Sequence, residues 1–370
     1  MPEPSNTFAF RLLRELATDA PAANVFVSPL SVTLALGMAL VGARGETARE
    51  LAGLLDLGED PPARLAALGA LLEQAGADPA ARVTAANALW CSRRFTPRPE
   101  YVERCRELFR AAVETLDFGS PTAAGVINRW VSDHTAGKIP RIVQSLDPSA
   151  ALVFTNAVHF KGTWAHQFDP ARTRPAPFAL PGGATCQVPM MWLSRKDLAY
   201  AETADYQAIS LPYGERRAGR LCMDIVLPRP GRALGDLLRA LDAQAWGGIV
   251  GRLRAREGEL HLPRFTAEYE QELVPALRRL GLRRATSGQA DFSGIGEGPL
   301  TIDQVLHRAA LEVNEEGAEA AAATAVVMVL SAMVAPPPPF VMRVDRPFLC
   351  AIRDRASGLV LFLGTIANPG

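Results

Sequence analysis

The segment that most limits how this chain can fold lies near its C-terminus: EEGAEAAAATAVVMVLSAMVAPPPPF, residues 315–340. From Ala320 to Ala335 it runs 16 residues without a charge, and four prolines follow. A run this apolar asks to be buried, yet a glutamate pair with a glycine before it and prolines after it are the flanks of an exposed connection. As a membrane span, 16 residues at about 1.5 Å each reach roughly 24 Å against a hydrocarbon core of roughly 30 Å, which is short. As a helix it starts well on alanine but continues through Val326, Val327 and Val329 with apolar residues on every side, so it would have to be buried all round.

As a strand it has a definite inner face. Ala318, Ala320, Ala322, Thr324, Val326, Met328 and Leu330 point one way, while Glu319 points the other. Just upstream, VLHRAALEV alternates so that Val305, His307, Ala309, Leu311 and Val313 share a face. Gly317, in the connection between the two, accepts the positive φ of a tight reversal. The stretch can therefore fold back as an antiparallel strand beside its predecessor. The prolines mark where it must leave, because proline donates nothing to a ladder.

Elsewhere the pattern is helical first and stranded later. Ser28 reads as an N-cap with Pro29 at the first helical position, closed by Gly42 or Gly45. Thr47 and Glu50 have the spacing of a capping box. Ser120 with Pro121 repeats the device, and Gly137 and Pro140 end that helix. Period-two runs occupy ALVFTNAVHF at 151–160, Cys222 to Leu227, Phe340 to Val344, Leu349 to Ile352 and Val360 to Ile366. The absence of regular βα alternation predicts an α+β chain, and with no repeat period or long linker, one domain over 1–370.

Thirty-nine basic and 39 acidic residues cancel, so nothing global draws the chain to nucleic acid or an anionic membrane. Five cysteines, at 91, 105, 186, 222 and 350, form no CxxC pair and suit a reducing compartment better than a disulfide scaffold or a metal site. The N-terminal MPEPSNTFAFRLLRELA places Phe8, Leu12 and Leu16 on one helical face and lacks the basic and apolar regions of a secretory signal, so the expected location is cytoplasmic. There is no G-x-S-x-G, no HExxH and no phosphate-loop spacing; GIGEG and AGKIP read as turns. Arg93, Arg94 and Arg98 beside Trp90 and Phe95 read as a mixed solvated face.

Five segments, in order, resemble the serpin family across essentially the whole chain: NVFVSPLSVTLALGMALVGARGETARELAGLL, LVFTNAVHFKGTWAHQFDP, LHLPRFTAEYEQELVPALRRLGL, LHRAALEVNEEGAEAAAATA and VDRPFLCAIRDRASGLVLFLGTIANP. The resemblance implies three β-sheets, about nine helices and an exposed reactive-centre loop at 315–339, in a prokaryotic-type intracellular member. It also implies a suicide-substrate inhibitor of serine proteases, not an enzyme, working as a monomer without cofactor, metal or membrane. Its hinge would be Glu315, Glu316, Gly317, Ala318, Glu319, Ala320, Ala321, Ala322, Ala323 and Thr324. Its reactive bond would be Ser331–Ala332, which suits an elastase-like pocket, or alternatively Leu330–Ser331, which suits a chymotrypsin-like or subtilisin-like one.

Ser28, Ser31, Asn156 and His307 match the family's sheet-opening cluster, with Trp164 at the top of the opening. Ser28 as a plain N-cap and His307 as a satisfied core histidine are the competing readings. Ala318 departs from the Thr or Ser common at that position but is small enough to enter a sheet. The four prolines are a second departure and favour an extended polyproline conformation. Segment 62–82, where heparin-activated relatives carry a basic helix, holds only Arg64 and Arg82 against Glu73 and Asp78, so no heparin activation is expected. The competing class is a non-inhibitory serpin that acts as a carrier or chaperone.

Overall fold

The computed structural model describes residues 6–20, 22–77, 80–214, 219–316 and 338–370. In its first half α1 (Thr7–Asp19), β1 (Val25–Val27), α2 (Pro29–Gly42), α3 (Gly45–Leu54) and α4 (Pro61–Ala77) precede β2 (Ala81–Ser92), α5 (Pro99–Phe109), β3 (Ala112–Leu116), α6 (Ala123–His134) and β4 (Leu152–Gly162). Then come β5 (Arg174–Ala179), β6 (Thr185–Glu202), β7 (Tyr206–Pro212), β8 (Leu221–Pro228), α7 (Leu234–Ala240), α8 (Ala243–Arg252), β9 (Arg254–Pro263), β10 (Phe265–Glu272) and α9 (Val274–Arg279). The chain closes with β11 (Ile302–Val313), β12 (Phe340–Arg343), β13 (Phe348–Asp354) and β14 (Val360–Ile366). Among the described residues this makes nine α-helices, as expected.

The strands form two hydrogen-bonded ladders. The smaller is ordered β10-β11-β4-β2-β3; the larger runs β1-β14-β13-β8-β7-β6-β9-β12, with β5 also on β6. The three sheets implied by the resemblance are present as these two ladders because β6 belongs to both halves of the larger one. Its N-terminal part pairs with β5, its last residues pair with β7, and its pairing with β9 spans both, with a register shift between Arg195 and Leu198. A bulge of this kind bends a strand from one sheet plane towards another.

The smaller sheet has a core on each face. Leu152, Phe154, Val158 and Phe160 of β4, with Val305, Ala309 and Leu311 of β11, join the main core, to which α2 and β14 also belong. Val153 and Ala157, with Leu306, pack in a second cluster with Ile127 and Val131 of α6. Alternate residues thus find apolar cover on both sides, which is why β4 reads as an almost unbroken hydrophobic run.

Ser28 caps α2 as expected, accepting from the Ser31 N–H at 3.3 Å, and the helix ends at Gly42, where a Cβ would collide with Ile295. The capping box was wrong: α3 starts at Gly45 behind Arg44. Thr47 accepts from the Asp291 N–H, and Glu50 accepts from the N–H groups of Arg284 and Ala285, tying α3 to a distant loop. Likewise α6 is preceded by Thr122, not Ser120, whose hydroxyl meets Thr122 instead. None of the described helices is long and apolar enough to cross a membrane.

Candidate functional site

The centre of the smaller sheet is a parallel pair. β11 lies directly against β4 from Ile302↔Leu152 to Leu311↔Phe160, with His307 opposite Asn156. On the other side of β4, Asn156 lies opposite Asn87 of β2. By the alternation of a strand, all three side chains point to the main-core face, beneath the start of α2. His307 and Asn156 are fully buried and Asn87 is nearly so.

Four of the expected residues meet here. The Ser28 N–H donates to His307 Nε2 at 3.3 Å, so that nitrogen carries no proton and the proton sits on Nδ1. Nδ1 then donates to Asn156 Oδ1 at 2.5 Å. Asn156 Nδ2 donates onward to Ser31 Oγ and Asn87 Oδ1, each at 2.5 Å, and Ser28 Oγ donates to the Leu361 carbonyl of β14 at 2.7 Å. Ser28 is therefore both helix cap and network member. Burial pushes the His307 imidazole down to about 3, so it is neutral in the folded protein. A buried chain of this kind is tolerable because each described polar group has a partner, and each bond is directional enough to fix the seam's register.

Trp164 sits apart from that cluster, beyond the C-terminal end of β4. Its ring stacks on Tyr213 at 4.5 Å, and its Nε1 donates to the carbonyl of Asn314, one residue past β11, at 2.8 Å. The next residue is fixed too. Glu315 is buried and accepts from Arg264 Nε at 3.0 Å, from Arg264 Nη2 at 2.6 Å and from Thr173 Oγ1 at 2.6 Å. Burial alone would raise its carboxyl; the hydrogen bonds from Arg264 and Thr173 outweigh that and hold it below the usual carboxylate range. Glu316 is exposed, its N–H donating to Asn314 Oδ1.

The remaining hinge residues, Gly317 to Thr324, and both versions of the reactive bond, Ser331–Ala332 and Leu330–Ser331, lie outside the described residues. The chain returns at Pro338, whose carbonyl accepts from Arg256 Nη2 at 3.1 Å. Phe340 stacks face to face on Tyr200 at 3.6 Å, and Gln207 Nε2 donates to the Val341 carbonyl at 3.1 Å. Specific contacts thus hold Asn314 and Glu315 on one flank and Pro338, Phe340 and Val341 on the other.

Sequence reasoning missed Asn87, Arg264, Thr173 and Arg256. Asn87 left a trace: it is a lone polar residue on the face shared by Leu89 and Cys91 in the run NALWC. The others left none, since Arg264 and Glu315 lie 51 positions apart and share no local pattern.

The family model described as serpin (serine protease inhibitor) matches residues 3–369. An uncharacterized serpin-like protein of Thermococcus kodakarensis is 38% identical over 98% of this chain and 84% of its own length, in keeping with a prokaryotic-type member. The leukocyte elastase inhibitor of Sus scrofa is 34% identical over 98% of this chain and 97% of its own. Among solved structures, human thyroxine-binding globulin complexed with thyroxine superposes with a TM-score of 0.85 at 27% identity, covering 98% of this chain and 96% of that one. The match over almost every residue, together with a parallel central seam, leaves one conclusion: this chain is a serpin, a member of a family of protease inhibitors and not of enzymes.

Proposed function

We propose that this chain is a suicide-substrate inhibitor of serine proteases. The observation that carries the reading is the direction of the central seam. Because β11 and β4 run parallel, a strand entering between them in the opposite sense pairs antiparallel with both. A chain that turns back at Gly317 runs in that sense. Insertion therefore replaces one parallel ladder by two antiparallel ones, the slightly stronger type, and adds a full row of backbone hydrogen bonds.

The protease serine attacks the carbonyl of Ser331, the bond to Ala332 breaks, and the amine of Ala332 leaves as the acyl ester forms. The freed segment after Gly317 enters the seam. About 13 residues at about 3.3 Å span more than 40 Å, enough to carry the tethered protease from one end of the sheet to the other before water releases it. The inward face, Ala318, Ala320, Ala322 and Thr324, brings no charge and little bulk into the interior, which favours inhibition over a carrier role. His307 and Asn156 exchange partners as the strand passes. An uncharged residue before the cut selects an elastase-like pocket if it is Ser331 and a chymotrypsin-like or subtilisin-like one if it is Leu330.

The free thiols, four of them buried, fit a cytoplasmic setting, and nothing in α4 favours heparin activation. The test is incubation with elastase, chymotrypsin and subtilisin. The expected product is an SDS-resistant complex with a released C-terminal peptide beginning at Ala332. A peptide beginning at Ser331 moves the bond by one residue. Rapid cleavage by all three with no complex contradicts inhibition and leaves the carrier reading.

A further inference from the structure

β12 is an edge strand of four residues, Phe340–Arg343, and pairs with β9 alone. A parallel ladder that short is a weak hold by itself. Two side chains add to it. The Phe340 ring stacks on Tyr200 at 3.6 Å and lies so close over Gly258 that a Cβ there would come within 2.3 Å of the ring. Arg256, two positions earlier on β9, faces the same ring pair, its guanidinium carbon 5.4 Å from the Tyr200 centroid and 6.0 Å from that of Phe340.

The polar atoms of Arg256 are all directed by fixed partners. Its Nη2 donates to the Pro338 carbonyl at 3.1 Å and its Nη1 to Glu202 Oε1 at 3.0 Å. Glu202 is held in turn, its Oε2 accepting from Arg229 Nη2 at 2.6 Å and from the Tyr200 hydroxyl at 3.0 Å. Gln207 Nε2 donates to that hydroxyl at 2.7 Å and to the Val341 carbonyl at 3.1 Å. Residues of β6, β7 and β9 thus converge on the first turn of chain before and into β12, through bonds that are partly charge-assisted.

The place of β12 gives this hold a consequence. Phe340 lies opposite Gly258, six positions before Arg264, which holds Glu315 at the mouth of the seam. Phe340 therefore stands about 20 Å back along β9, in the larger ladder and not in the seam. A loop entering uncut as far as Leu330 reaches more than 40 Å into the seam. Only nine residues, 331–339, remain to return to Phe340, and at full stretch they cover about 30 Å. An uncut loop can therefore enter to that depth only after β12 has left β9; a cut loop is free of this limit.

We infer that Arg256 and Phe340 form a clasp that keeps β12 on β9 and so keeps the uncut loop out of the seam. Arg256 is then a positioning residue that acts through the Pro338 carbonyl. What enters the seam rests on the inhibitory reading; the hold on β12 does not.

The test uses the intact protein and needs no protease. Arg256→Ala removes the tie to Pro338 without stranding Glu202, which keeps Arg229. Gly258→Val attacks the clasp from the other side by driving the Phe340 ring off its seat, so one variant serves if the other misfolds. Amide exchange of residues 340–343 should quicken about tenfold in either variant, the effect of one charge-assisted bond lost, while β13 keeps its protection. On incubation each variant should also convert about tenfold faster than the parent into an unclipped species of unchanged mass that melts higher than the starting protein. A change that merely weakened the fold would give a product that melts lower. Unchanged exchange at 340–343 overturns the clasp. Faster exchange without a higher-melting species overturns its link to the seam. Failure of the parent to form any protease complex counts against the inhibitory function and leaves the exchange result standing.

Discussion

The seam between β11 and β4 and the seam between β13 and β14 are both buried, yet they are built from different materials. β13 and β14 pair antiparallel and every residue of both is buried. Phe362 stacks on Phe26 at 5.5 Å and Phe348 packs against Phe265 at 5.7 Å. Such contacts are non-directional, and a separated pair loses dispersion and apolar burial with no substitute partner. The β11–β4 seam is parallel and is crossed by His307 and Asn156, whose hydrogen bonds an incoming strand or neighbouring group can replace. One seam is a rivet and the other a latch.

The largest expected effect tests the latch through what must pass it. Ala320→Arg or Ala322→Arg would bring a charge beneath α6 or α2, a desolvation cost of several kcal/mol, and should convert the inhibitor into a substrate that is cleaved without trapping its protease. Stoichiometry of inhibition reads this directly, and an unchanged value removes insertion from the mechanism.

At the rivet, Phe362→Ala should cost about 3–5 kcal/mol in denaturant unfolding, lowering intact and cleaved forms alike. At the latch, Asn156→Ala should cost about 2–3 kcal/mol through the partners it strands, and mainly in the intact form. The same variant should take up a peptide copying residues 318–328 about tenfold faster, since opening no longer breaks its bond to His307. Equal losses in both forms for both variants would erase the distinction between the seams.

A smaller effect follows from protonation. The folded-state imidazole of His307 is depressed to about 3, below an ordinary histidine near 6.5, so between these values the unfolded chain binds the extra proton. Stability should therefore fall as pH drops from about 6.5 towards 3, by at most about 1.4 kcal/mol per pH unit, and His307→Ala should flatten that slope. Glu315 adds the carboxylate case: its contribution is complete above pH 4.5, its ordinary value, and is lost only as pH falls through its depressed folded-state value. Urea unfolding from pH 7 to 3 separates the two windows.

Elements whose cause is local were legible in the sequence. α2 announces itself by Ser28 and Pro29, and β11 by five alternating buried residues, His307 among them. The capping box at Thr47 failed because both side chains have stronger uses in holding residues 284–291. β6 escaped notice because its bulge between Arg195 and Leu198 breaks the period of two. At the site, His307, Asn156, Ser28 and Ser31 came from family resemblance, while their wiring, the Asn87 link and the Arg264–Glu315 anchor required the fold. The Arg264–Glu315 pair lies 51 positions apart and the His307–Asn156 pair 151, and no local periodicity encodes them.

The central claim is that the closed sheet is not the lowest free-energy arrangement of this chain, and melting intact against loop-cleaved protein tests it most directly. A new strand making on the order of ten backbone bonds at about 1 kcal/mol each, with about 2 °C per kcal/mol, should raise the midpoint by about 20 °C after cleavage. Coincident melting curves before and after the cut would contradict the account.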